Sequence, residues 1–179
     1  ALAAGMLVLG FPLEALFQLA AWGAGGISSI IKRVMRRSRP SSADVRVLPA
    51  RIGGSSFPSG HVLIYTGVYG FLAFLIETLV RSNKLRRAAI GSLVSLIALV
   101  GPSRIYLGHH WFTDVMASYL LGASYLLGLS ALYRRLKTGW LNRRGLRSLR
   151  PGSGLSKPRA IAIGTYTRKL IQSTTNGEK

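Results

Sequence analysis

The chain of 179 residues carries 24 Lys plus Arg against 5 Asp plus Glu, has no Cys, and is 49% hydrophobic with a mean hydropathy of +0.31. Half-apolar composition excludes a polar disordered chain, the absence of Cys excludes a disulfide-stapled domain and any thiolate chemistry, and the length permits one domain plus a tail. A formal charge of +19 would suit a nucleic-acid partner on a soluble fold, but here basic and apolar residues fall into separate blocks, which points to a membrane and to no nucleic acid.

Taken in chain order, Ala1 to Ile31 contains no Lys or Arg and has Pro12 inside it. It lacks the basic start and short apolar run of a secretory signal, and it divides into the tail of an earlier helix, 1–10, and a full helix from about Leu13 to Ile31. Because the chain opens on Ala1 and in mid-segment, at least one preceding helix is expected to be cut. About 20 apolar residues make a span, and three more follow: Val62 to Val80, Ala88 to Leu107 and Phe112 to Tyr133. Glycines recur on these segments, among them Gly23, Gly67, Gly70 and Gly122, as close helix approach in a bundle requires. The fold class is therefore all-α, a polytopic membrane helical bundle over 1–135, with a basic tail over 136–179.

The connection Arg81 to Arg87 and the segment after Tyr133 are rich in Lys and Arg, so both are expected on the cytoplasmic side. Span parity then puts 32–61 and 104–111 together on the other face. Yet Lys32, Arg33, Arg36, Arg37, Arg39, Arg46 and Arg51 crowd that face, and a site for an anionic substrate gives them a reason to be there. All three histidines, His61, His109 and His110, fall in the same two connections, close to Asp114.

The spacing sharpens this. Lys32 and Arg39 stand seven apart before Pro40, which predicts one helical face two turns long, ended by the proline. Pro58-Ser59-Gly60-His61 precedes an apolar helix and offers a hydroxyl, a glycine N–H and a helix N-terminus to a phosphate. Ser103 and Arg104 close the next helix, and His110 and Asp114 are spaced to face each other across one turn, where the carboxylate can hold one imidazole nitrogen and leave the other free.

These three pieces resemble the type-2 phosphatidic acid phosphatase and haloperoxidase superfamily, whose signature reads K-x6-R-P, P-S-G-H and S-R-x5-H-x3-D. Lys32, Arg39 and Pro40, then Pro58, Ser59, Gly60 and His61, then Ser103, Arg104, His110 and Asp114 match every fixed position, and the resemblance spans Leu13 to about Tyr133. It implies a six-helix phosphatase core, here truncated by most of its first two helices. It further implies His110 as nucleophile, Asp114 as its orienting carboxylate and His61 as general acid and then base. Lys32, Arg39, Ser59, Gly60 and Arg104 would bind phosphate. No metal or other cofactor is implied, and the outward connections offer only Asp44 and Asp114 as carboxylates, too few for a two-metal site. His109 takes a supporting or interfacial place, and Tyr106 and Trp111 suit the headgroup level. The expected partners are a lipid phosphate or diphosphate substrate and membrane lipids. Two alternatives are a catalytically silent protein that binds or transports anionic lipids, and a vanadium haloperoxidase relative, which the apolar segments oppose.

Overall fold

The computed structural model describes residues 2–41, 47 and 54–143, with side chains as far as 139, and every regular element among them is a helix. In chain order these are α1 (Leu2–Val8), α2 (Pro12–Ala20), α3 (Gly23–Met35), α4 (Gly60–Leu79), α5 (Asn83–Tyr106) and α6 (Phe112–Arg143). Three are long and apolar enough to cross a membrane: α4, α5, and α6 as far as Gly139. Contacts divide the chain at Gly139; of the basic tail expected over 136–179, residues 136–143 continue α6 and the rest lies outside the described residues. The same holds for Asp44, Arg46 and Arg51.

Gly10 ends α1 at φ +80°, a conformation glycine adopts without strain, and Pro12 opens α2, where its missing N–H costs nothing. The single helix expected from Leu13 to Ile31 is corrected: it is two helices, broken at Ala21 and Trp22. The cause lies on α6. The Tyr125 hydroxyl donates to the Ala20 carbonyl at 2.5 Å, and the Ala24 N–H, which would have used that carbonyl in an unbroken helix, turns to Ala21 O at 3.4 Å. Gly23 makes room, since a Cβ there would lie 2.5 Å from the tyrosine oxygen. Neither half alone reaches the length of a span.

Helix α5 carries Pro102 near its end, which removes one ladder donor. Tyr119 of α6 repairs the gap: its hydroxyl lies 2.7 Å from Ile97 O and 3.1 Å from Ala98 O, and accepts from Gly101 N–H at 3.0 Å. Without that hydroxyl the carbonyls would be unsatisfied in an apolar surrounding, which costs several kcal/mol for each group.

The larger core cluster joins Phe17 and Ala21 to Val68, Phe71 and Leu75 of α4 and to Leu129 and Tyr133 of α6, with the Phe17 and Tyr133 rings edge to face at 5.4 Å. A smaller one, Val62, Val100 and Val115, ties the start of α4 to the end of α5 and the start of α6. Helix α4 approaches its neighbours closely at glycines. A Cβ on Gly67 would meet Ala24 Cβ at 2.9 Å and Ala21 O at 3.1 Å, and one on Gly122 of α6 would meet Thr66 at 2.8 Å. Glu14 on α2 is buried and held by Lys137 at 2.6 Å and the Tyr133 hydroxyl at 2.8 Å, both from α6.

Candidate active site

The last turns of α3 and α5 and the first turns of α4 and α6 meet around a cavity of about 250 Å³ lined by Lys32, Arg39, Gly60, His61, Arg104, His109 and His110. Three fixed cations and three imidazoles thus face one space, and among the described residues that line it none is a carboxylate.

The route by which Arg39 reaches it differs from the expectation. Helix α3 ends at Met35, with Arg36 in the left-handed region at φ 43°, so Arg39 is not two turns along the same helix as Lys32, and Pro40 does not end that helix. Residues 36–39 instead run as a non-helical strip between two loops. Arg37 N–H donates to Ser55 Oγ at 2.9 Å, Ser56 N–H donates to Arg37 O at 2.7 Å, and Trp111 Nε1 donates to Ser38 O at 3.0 Å. Arg39 then donates to His109 O at 2.7 Å and Ser55 O at 3.3 Å, while Lys32 Nζ reaches Ser55 O at 2.8 Å. A backbone strip held at three points brings the two cations together as well as a helix face would.

Pro58 and Ser59 lead into α4 and both are buried. The Ser59 amide donates to Ser118 Oγ at 2.7 Å, and the hydroxyl, fully buried, has no hydrogen-bond partner among the described residues. Gly60 lines the cavity: a Cβ there would lie 3.3 Å from Ser28 Oγ. On α5, Ser103 Oγ donates to Val100 O at 2.7 Å and accepts from Arg104 Nε at 3.3 Å, which turns the guanidinium at the helix end.

His110 stands just before α6, not on it, and its Nδ1 lies 3.8 Å from Asp114 Oδ2, near the carboxylate but beyond a hydrogen bond. Asp114 is wholly buried and occupied by others: Arg37 at 2.7 Å, Ser56 Oγ at 2.5 Å and Trp111 N–H at 3.0 Å. On the cavity side Arg39 approaches His110 Nε2 to 3.4 Å, which suits a lone pair there and the proton on Nδ1. Burial pushes the His110 pKa down to about 4, the Arg39 and Lys32 charges add to this, and the Ser56 backbone and Asp114 oppose it, so the ring is neutral at ordinary pH. His109 is also buried and lines the cavity, with neither ring nitrogen hydrogen-bonded among the described residues.

Arg37 and Ser56, the two side chains that hold Asp114, escaped the reading of the sequence. Arg37 occupies a variable position of the first motif and was one cation among many. Ser56 sits two residues ahead of Pro58 with no pattern to distinguish it.

Comparison with known proteins fits this arrangement. The PAP2 superfamily model matches residues 12–137, and the chain belongs to that superfamily. It is 31% identical over 121 residues to phosphatidylglycerophosphatase B of Bacillus subtilis strain 168, covering 66% of this chain and 58% of that protein. The chain thus spans less than two thirds of that relative's length. A crystal structure of a transmembrane PAP2-type phosphatidylglycerolphosphate phosphatase from Bacillus subtilis superposes with a TM-score of 0.62 at 25% identity, over 75% of this chain and 69% of the other. With its three apolar helices, the chain is a membrane protein of all-helical fold.

Proposed function

We propose that the protein is a phosphatase of lipid phosphates or diphosphates that works through a phosphohistidine and needs no metal. The observation that carries this is the cavity itself. Three cations and three imidazoles line it, and His109, buried in its wall, has neither ring nitrogen hydrogen-bonded among the described residues. Buried polar groups left in this state suit a polar anionic ligand that completes them.

In this reading a phosphate oxygen draws the Arg39 guanidinium away from His110 Nε2, and Lys32 and Arg104 hold the remaining oxygens. Nε2 attacks phosphorus as the bond to the lipid oxygen breaks, and His61 gives that oxygen its proton. The imidazolium formed carries its proton on Nδ1 toward Asp114, where closing the 3.8 Å gap by less than 1 Å makes a charge-assisted hydrogen bond available only after attack. Water, deprotonated by His61, then releases phosphate and restores neutral His110. The cations meet the charge redistributed at phosphorus, which is the work a metal does elsewhere. The similarity to phosphatidylglycerophosphatase B makes phosphatidylglycerol phosphate the first substrate to try.

The reading places the site on the non-cytoplasmic face and the residues from 136 onward in a basic cytoplasmic tail, as the loop charges suggest. Cysteines introduced singly at Ser38 and Ser82 test the orientation with a membrane-impermeant thiol reagent on intact cells. Labelling at Ser82 with protection at Ser38 would reverse it. For the chemistry, phosphate release should persist in a chelator and be blocked by vanadate, and a brief reaction quenched in alkali should retain labelled phosphate on His110. Activity lost in chelator and restored by magnesium would refute the mechanism.

A further inference from the structure

Lys32, Arg39 and Arg104 surround the catalytic cavity and Arg37 is taken by Asp114, which leaves Arg33 and Arg36 without a task. Both are exposed, and among the described residues neither has an ion-pair partner. They line a second, open cavity of about 740 Å³ together with Lys32, Arg37, Ser38 and Ser55. Lys32 lines both spaces, so the two adjoin, and among the described residues that line the larger one there is again no carboxylate. Arg33 in the last turn of α3 gains from the helix dipole, but Arg36 lies past the helix end, and the dipole gives no reason for a groove.

We infer that this groove receives a second phosphate group of the same substrate, so that the preferred substrate is a lipid bearing two phosphates, as a phosphodiester plus a terminal phosphomonoester or as a diphosphate. The inference rests on the phosphatase reading. The smaller cavity holds the phosphate that is cleaved, and Arg33 and Arg36 hold the other. Lys32 stands between them with three N–H donors, one of them on Ser55 O at 2.8 Å, and can address both anions. Arginine suits the task because its planar fork meets two phosphate oxygens at once.

The test compares kcat/KM of wild type and the R33Q/R36Q double variant in neutral detergent micelles for three substrates: phosphatidate, phosphatidylglycerol phosphate and a prenyl diphosphate. The two-phosphate substrates should lose about tenfold relative to phosphatidate, mainly in KM. A loss confined to phosphatidylglycerol phosphate identifies the phosphodiester as the group held, and one confined to the prenyl diphosphate identifies the second phosphate of a diphosphate. An equal fall for all three overturns the groove and leaves the phosphatase reading standing. So does an effect seen only in anionic vesicles, which would make the groove a reader of bilayer charge. Equilibrium binding of inorganic pyrophosphate and phosphate separates the two ideas further. If wild type releases no phosphate, yet the double variant weakens pyrophosphate binding about tenfold relative to phosphate, the groove stands and the phosphatase reading falls. Equal weakening of both ligands overturns the groove.

Discussion

Asp114 opens α6 and Glu14 meets that helix at Tyr133 and Lys137, about 30 Å further along by helical rise. Both are buried carboxylates held by one cationic side chain and one hydroxyl, Asp114 by the Trp111 N–H as well. Around Glu14 the arrangement closes on itself, since Lys137 Nζ also reaches the Tyr133 oxygen at 2.6 Å and sits over that ring. Around Asp114 it does not, because the neighbouring His110 Nδ1 is left 3.8 Å short of a bond. A buried charge with all its partners satisfied is a strut, whereas one that leaves a titratable neighbour waiting can respond to what happens in the cavity.

Substitutions at the two carboxylates should therefore separate rate from stability. The largest effect is expected at His110. His110→Ala should lower turnover about a thousandfold or more and leave no trapped phosphohistidine, while its detergent-solubilised Tm stays within a few degrees of wild type. Phosphohistidine trapped in this variant would move the nucleophile elsewhere.

At the strut the pattern inverts. Glu14→Ala strands Lys137 beside an apolar core and should cost about 3 kcal/mol of stability, the lower end of the range because the lysine is part-exposed. The kcat of the folded fraction should be nearly that of wild type. A Glu14→Ala protein as stable as wild type but inactive would give Glu14 the role assigned to Asp114.

The depressed His110 pKa gives the catalytic end a pH signature of its own. The folded-state value, about 4, lies below the ordinary 6.5, so protons bind the unfolded chain more tightly. The stability associated with neutral His110 is fully present above pH 6.5 and is lost as pH falls from there toward 4, by about 3 kcal/mol in all. Thermal melts of wild type and His110→Gln across that window should show wild type lose stability relative to the variant as the pH falls. A constant difference would mean the ring is not depressed.

Smaller effects sharpen the comparison within the site. Arg37→Gln removes the cation that fixes Asp114 and, with phosphatidate, which has no second phosphate for the groove, should lower kcat about tenfold with little change in KM, since Arg37 touches the carboxylate and not the cavity of the histidines. Loss in KM alone would make it a substrate contact. His109→Ala should stay within about twofold of wild type. An inactive His109→Ala beside an active His110→Ala would shift the last motif by one residue.

The sequence made the cavity legible because its lining residues occupy fixed offsets from helix ends. Lys32, Gly60, His61, Arg104 and His110 each lie within three residues of the start or end of a helix or just outside one, and an apolar run shows where a helix must stop. It was poor at what depends on distant chain. The break at Ala21 and Trp22 comes from a tyrosine at 125, the support of Ala98 O from a hydroxyl at 119, and the Glu14 pair from a lysine 123 residues away. Arg37 and Ser56 belong to the same class, since a side chain that serves Asp114 from another loop leaves no period or motif behind.

The glycine contacts of α4 bear on timing as well as packing. With Gly67 against Ala21 and Ala24, and Thr66 seated over Gly122, the helix is keyed on two sides and has no free play along its axis. His61 rides on the first turn of that same helix. A slip of a single residue would carry the imidazole about 1.5 Å past His110, more than proton transfer tolerates. The keyed shaft thus acts as an alignment gauge for the proton donor proposed at His61, and Gly67→Ala, which forces α4 sideways by a few tenths of an ångström at a point two turns from the cavity, is expected to show first as slower turnover of substrates with poor leaving groups.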